Sequence, residues 1–185
     1  MNLKVIIFFV YLSYVSTSLA YPFFVRNQDD GFRLNSTWLH MAGFNSSTDT
    51  IYLPFANIDS IDPDTFQSFP NLEVLILSFS QIKFLEPNTF SNLNKLVYLD
   101  LHYNQIMQID HKIFKDLKNL SYLFLEKNNI NEFDREALNG LTKLAQVCLC
   151  SNPVSDLDPS SLNDICKSSP ECVLNIQNCC FPQFN

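Results

Sequence analysis

Four leucines, Leu72, Leu96, Leu120 and Leu144, stand 24 residues apart, and each opens the same apolar pattern. From Leu96 it runs through Leu99, Leu101, Asn104, Ile106, Ile109, Phe114 and Leu117. The preceding copy holds Leu72, Leu75, Leu77, Ile82, Leu85, Phe90 and Leu93; the following one holds Leu120, Leu123, Leu125, Asn128, Ile130, Phe133, Leu138 and Leu141. A fifth copy passes through Leu144, Val147, Leu149, Asn152, Val154, Leu157, Leu162 and Ile165. A degenerate first copy, opening at Thr48, supplies Ile51, Leu53, Ile58, Ile61, Phe66 and Phe69. A gapless period of this length means one supersecondary unit repeated, with a continuous core that forms only when the copies stack.

Counting the opening residue as position one, the Leu-x-Leu stretch reads as a short strand whose side chains alternate between two faces. Leu99 and Leu101 then face the interior, while Tyr98, Asp100 and His102 face out. Stacked copies predict an α/β solenoid, with a parallel β-sheet on the concave side of an arc. The chain returns along the convex side in short helical or irregular segments. Position fifteen is acidic throughout, with Asp62, Glu86, Asp110, Asp134 and Asp158, and Pro63, Pro87 and Pro159 follow three of them. An acidic cap followed by proline predicts the start of a short helix. The same stripe could bind calcium, but capping accounts for every member.

These residues resemble the extracellular, 24-residue class of leucine-rich repeat over about two thirds of the chain. The resemblance implies that Asn104, Asn128 and Asn152, at position nine, are buried and satisfy backbone groups between neighbouring turns. Ala56 and Ser80 hold that position in the first two copies. Short secreted arthropod leucine-rich repeat proteins and Toll-type ectodomains are the members it looks most like, and their roles include innate immunity and cell recognition. The likeness extends in part to the cysteine-rich flank of such proteins. There an Asn-Pro ordinarily precedes the Cys-x-Cys pair, whereas here Cys148-x-Cys150 precedes Asn152-Pro153.

The ends read differently from the middle. Residues 1–20, with Lys4 before the apolar run Val5 to Val15 and Ser18-Leu19-Ala20 after it, are expected to be a signal peptide. That run is too short for a bilayer span, which needs roughly 20 residues, and no second apolar segment follows, so a secreted, extracellular chain is expected. Residues 21–47 form an N-terminal cap carrying Phe23, Phe24, Phe32, Trp38, Leu39 and Phe44. Residues 48–165 are the five repeats, and 166–185 a cysteine-rich C-terminal cap whose cysteines begin in the last repeat. Cys148, Cys150, Cys166, Cys172, Cys179 and Cys180 are expected to form disulfides. The tail pair meeting Cys148 and Cys150, with Cys166 joined to Cys172, is the favoured arrangement among 15 connectivities. Asn35, Asn45 and Asn119 open N-x-S/T sequons and are candidate glycan sites.

Function is expected on the outward positions of the strands. Position three carries Thr50, Val74, Tyr98 and Tyr122; position five Tyr52, Ile76, Asp100 and Phe124. Position seven carries Pro54, Ser78, His102 and Glu126; position eight Phe55, Phe79, Tyr103 and Lys127. A merely solvated face would be mostly Lys, Glu, Ser and Thr, whereas aromatic groups mark protein interfaces. Tyr52, Phe55, Ile76, Phe79, Tyr98, Asp100, His102, Tyr103, Tyr122 and Phe124 are therefore the candidate contacts for a protein ligand. A homodimer or the C-terminal tail is the competing cover for the same patch. Asp100, His102 and Glu126 at its polar edge suit a divalent metal or a pH response, but loose surface charges assemble this way by chance, and no metal or cofactor is expected. No phosphate-cradling glycine loop, H-E-x-x-H or nucleophile elbow occurs, and the histidines are only His40, His102 and His111, so catalysis is not expected. The net charge of −7, moving to −8 once Lys4 is removed, disfavours nucleic acid. The expected function is a secreted recognition module; the alternative is a structural or regulatory subunit in a permanent complex.

Overall fold

The computed structural model describes residues 31–153 and 173–175, all within one compact unit beginning at Gly31. The expected signal segment, Phe23 and Phe24, the later positions of the fifth copy from Val154 to Ile165, and Cys166, Cys172, Cys179 and Cys180 lie outside the described residues. In chain order the elements are β1 (Phe32–Leu34), α1 (Ser36–Met41), β2 (Thr50–Tyr52), β3 (Ile58–Ile61) and β4 (Val74–Ile76). They continue with β5 (Tyr98–Asp100), β6 (Gln108–Ile109), β7 (Tyr122–Phe124), β8 (Glu132–Phe133), β9 (Gln146–Cys148) and β10 (Val173–Asn175).

The repeat builds one parallel six-stranded sheet in the order β10-β9-β7-β5-β4-β2. Register follows the sequence period: Thr50 pairs with Val74, Val74 with Tyr98, Tyr98 with Tyr122, and Tyr122 with Gln146. The sixth strand departs from it. Val173 pairs with Gln146, 27 residues earlier instead of 24, so β10 adds a strand inside the segment expected only to be a cysteine-rich cap. Two small parallel pairs lie away from the main sheet: β1 with β3 joins the N-terminal segment to the first copy, and β6 with β8 joins the third copy to the fourth.

Hydrogen bonding runs past the three-residue strands. The position-six amides of Leu53, Leu77, Leu101 and Leu125 each donate to the position-five carbonyl of the next copy at 2.9 Å. Position nine then locks the turn. Asn128 Nδ2 donates to the carbonyls of Leu101 (3.0 Å) and Leu125 (2.9 Å), and its Oδ1 accepts the Ile106 amide at 3.0 Å. Asn104 does the same between Leu77, Leu101 and Ile82, and Asn152 between Leu125, Leu149 and Ile130. The ladder stops where the asparagines stop: Ser80 Oγ is buried with no hydrogen-bond partner.

The core lies where the period places it. Ile51, Leu75, Leu99, Leu123 and Val147 are fully buried, and the position-nineteen rings Phe66, Phe90 and Phe114 stack in a row with centroids 6.0 and 6.2 Å apart. Position eighteen, Thr65, Thr89, Ile113 and Ala137, is buried as well and was not expected. At the N-terminal end Asn35 Oδ1 accepts the Trp38 amide at 2.9 Å and starts α1, whose Leu39 is buried. Phe32 packs on Trp38 at 5.2 Å and His40 stacks on Phe69 at 5.3 Å, an apolar cap on the first repeat.

The convex segments correct one expectation. Pro63 and Pro87 do not begin helices. Asp64 (φ 65°) and Asn88 (φ 78°) follow them, and Thr65 and Thr89 donate back to the carbonyls of Asp62 and Glu86. Proline second and a left-handed residue third is the arrangement of a type II turn, which Asp and Asn tolerate. Without proline, Asp134 caps a 3₁₀ turn, Arg135–Leu138, by accepting the Glu136 amide at 2.9 Å. That bond holds its carboxyl below the usual carboxylate range. Asp110 likewise accepts the Lys112 amide at 2.8 Å.

Removing Asn128 orphans the buried Ile106 amide and takes one of two asparagine donors from each of the Leu101 and Leu125 carbonyls. Asn128→Ala is expected to cost about 3 kcal/mol, read as a lower urea midpoint at unchanged slope. Ser80→Asn, placing an amide within reach of the Leu53 and Leu77 carbonyls, is expected to gain about 1 kcal/mol in the same assay.

Candidate binding face

Between outward position seven and buried position nine the backbone must turn sharply, and it does so in the left-handed region. Phe55, Phe79, Tyr103, Lys127 and Ser151, all at position eight, have φ between 51° and 59°. A Cβ-bearing residue there costs roughly 1–2 kcal/mol, and aromatic residues are unusual occupants. The conformation is held from outside: the amides of Phe55, Phe79 and Tyr103 each donate at 3.0 Å to the position-seven carbonyl of the next copy.

Three of these residues form one stacked row. The Phe55 and Phe79 rings lie 4.4 Å apart at 18°, and Phe79 and Tyr103 lie 4.6 Å apart at 13°. His102 sits edge-on to both Phe79 (4.7 Å) and Tyr103 (5.5 Å). Phe55 is 68% exposed and Tyr103 38%. Because the ring faces are spent on each other, the row offers solvent its edges, along with the outer side of Phe55.

Beside the row lies a buried polar group. Asp100 (6% exposed) accepts the His102 amide at 3.1 Å and also bonds His102 Nδ1. Glu126, next to His102 in the neighbouring copy, is 2% exposed, and its Oε2 is buried with no hydrogen-bond partner. Burial pushes the Glu126 carboxyl up to about 7; its own backbone N–H and His102 oppose this, and Asp100 adds to it. Burial, Asp100 and Glu126 likewise raise the Tyr98 phenol. Among the described residues no group of three His, Cys, Asp or Glu side chains is placed to hold a metal ion.

The outward residues do not form one uniform surface. Phe55, Tyr103 and Tyr122 are exposed; Tyr52, Ile76, Phe79, Tyr98 and His102 are half-buried. Phe124 (5% exposed) and Asp100 are outward in register yet buried. Phe124 packs with Cys148, which β7–β9 pairing sets directly beside it, and with Tyr98 at 5.1 Å. Phe124 at position five closes over Cys148 and Tyr98 there, narrowing the open face toward Phe55, Phe79 and Tyr103. The left-handed backbone at position eight carried no sequence signal, because Phe and Tyr are among the last residues it suggests.

The sequons sit apart from this row. Asn35 Oδ1 accepts the Trp38 amide, and Asn45 Oδ1 accepts the Ser47 amide at 2.9 Å and its Oγ hydroxyl at 2.6 Å. Asn119 donates its Nδ2 to the Asn94 carbonyl and accepts Lys143 Nζ at 2.5 Å.

A profile of the "Leucine rich repeat" family matches residues 46–106 and 96–154, more than half of the chain. Among solved structures, the APL1 leucine-rich repeat domain aligns at a TM-score of 0.65 and 22% identity over 78% of this chain and 36% of its own. The TLR13–ssRNA13 complex gives 0.62 and 26% over 69% of this chain and 18% of that one. The Toll–Spatzle complex, described as a hub in Drosophila development and innate immunity, gives 0.54 and 22% over 58% and 14%. The chain thus spans well under half the length of these structures' chains. No curated protein matches it in sequence.

Glu126 gives the face a pH signature. With its pKa raised from 4.5 to about 7, the folded state holds the proton more tightly than the unfolded chain. That contribution is complete below about 4.5 and is lost as pH rises through about 7. Stability is therefore expected to fall by about 3 kcal/mol over that window relative to Glu126→Gln. Urea unfolding of both proteins at several pH values checks it; parallel curves would contradict it.

Proposed function

The chain belongs to the leucine-rich repeat family, and from that premise we propose that it is a secreted, non-catalytic recognition module whose protein ligand docks on the concave face of the sheet. The Phe55–Phe79–Tyr103 row carries this reading. Stability alone gives no reason to keep three large rings at partly open sites on a left-handed backbone, and stacking returns only about 0.5–1.5 kcal/mol per pair. Exposed aromatic rings on a rigid sheet are what protein interfaces favour. Tyr52, Ile76, Tyr98, His102 and Tyr122 extend the contact, while Asp100 and Phe124 support it from below.

Extracellular placement is supported by the apolar leader at residues 1–20, the three sequons, and disulfide-bonded Cys148 among six clustered cysteines. No helix among the described residues is long and apolar enough to cross a membrane. A role in innate immunity is in keeping with the likeness to Toll. A polynucleotide ligand, as in the TLR13 complex, fits poorly here. The net charge is −7 and two carboxylates lie beside the ring row, where phosphates would need Lys and Arg.

Affinity capture from extracellular fluid of the source organism tests the reading, using wild type beside a Phe79→Glu, Tyr103→Glu double variant. The variant is expected to retain its far-UV circular dichroism and lose at least about tenfold in captured ligand. Equal capture of the same proteins would contradict the docking face. Light scattering on the isolated protein separates a monomeric recognition module from a subunit of an obligate complex.

A further inference from the structure

Buried polar groups in folded proteins are nearly always hydrogen-bonded, and an orphan calls for an explanation. Glu126 Oε2 is such an orphan, on a residue 2% exposed. It is not waiting on a cation from its own fold. Among the described residues the acidic groups of this face have one ion-pair partner, His102, and Asp100 takes it. Glu126 is left with burial and the nearby Asp100 carboxylate, both of which disfavour its ionisation.

We propose that Glu126, with Asp100 beside it, is the seat for one Arg or Lys side chain of the docked protein. This rests on the docking reading above and specifies its chemistry. A guanidinium or ammonium supplies the donor that Oε2 lacks and turns the repulsion between the carboxylates into attraction to a shared cation. His102, its side chain 17% exposed, and Tyr103, 38% exposed and donating its amide to the Glu126 carbonyl, adjoin Glu126 from the preceding copy. The methylene stem of an entering side chain lies against the edges of Phe79 and Tyr103, as such stems do on apolar surface. The net charge of −7 favours approach by a basic partner. An aliphatic side chain would leave the orphan unpaired, and an acidic one would meet two carboxylates.

The test uses N-acetyl-argininamide as probe and N-acetyl-citrullinamide as its uncharged isostere, followed by NMR on the Glu126 carboxyl and the His102 ring. Argininamide is expected to bind wild type about tenfold more tightly than citrullinamide and to bind Glu126→Gln about tenfold more weakly. It is also expected to lower the Glu126 titration midpoint by at least about one unit. Equal binding of the two probes, or an unmoved midpoint, overturns the cation seat, and because that comparison runs on wild type it does not depend on the variant folding. Ligand capture through the ring row is read separately: capture lost in the Phe79→Glu, Tyr103→Glu variant with no argininamide preference removes the seat and leaves the docking face.

Discussion

The asparagine ladder is the interaction on which the rest depends. Asn104, Asn128 and Asn152 each tie two carbonyls and one amide across adjacent turns, so consecutive copies cannot slip against one another. A three-residue strand carries too few ladder bonds to define register alone. With the turn after each strand pinned, every inward position of one copy lands on its equivalent in the next. The Phe90–Phe114 step of the buried row follows from that registration, and the strand and turn hydrogen bonds of the first two copies carry it on to Phe66.

The outward face follows from the same constraint. Pinning position nine inside while the strand's outward positions continue to position seven leaves position eight to absorb the reversal, and it does so at positive φ. Three consecutive copies place an aromatic residue there, so registration in the core becomes a stack of rings on the surface. Registration of the copies, by backbone bonds in the first two and by asparagines from Asn104 onward, thus produces both the buried phenylalanine spine and the open row of Phe55, Phe79 and Tyr103. Toward the C-terminal end the outward residues turn on each other instead, with Phe124, Cys148 and Tyr98 closing into a small cluster of their own.

Much of this was legible in the residues. Period fixes which side chains are inside, because a regular solenoid repeats one environment per position, and the ladder asparagines stood out by their recurrence. What escaped was set by local geometry. Pro63 and Pro87 suit a helix start and a type II turn equally well, and the left-handed Asp64 and Asn88 after them decide for the turn. Thr65 and Thr89 hid position eighteen, since a buried threonine looks polar in sequence. β10 escaped because it breaks the period by three residues. Phe124 and Asp100 were legible in direction but not in depth: alternation tells which way a side chain points and is silent on what its neighbours then cover.

Hydroxyl-radical footprinting of the free protein measures most directly whether the repeat holds its aromatic row open. Phe55 and Tyr103 should be oxidised far faster than Phe66, Phe90 and Phe124, with Phe79 between the two groups. Oxidation of Phe55 and Tyr103 as slow as that of the core phenylalanines would mean that the row is closed in the isolated chain, contradicting the account at its centre.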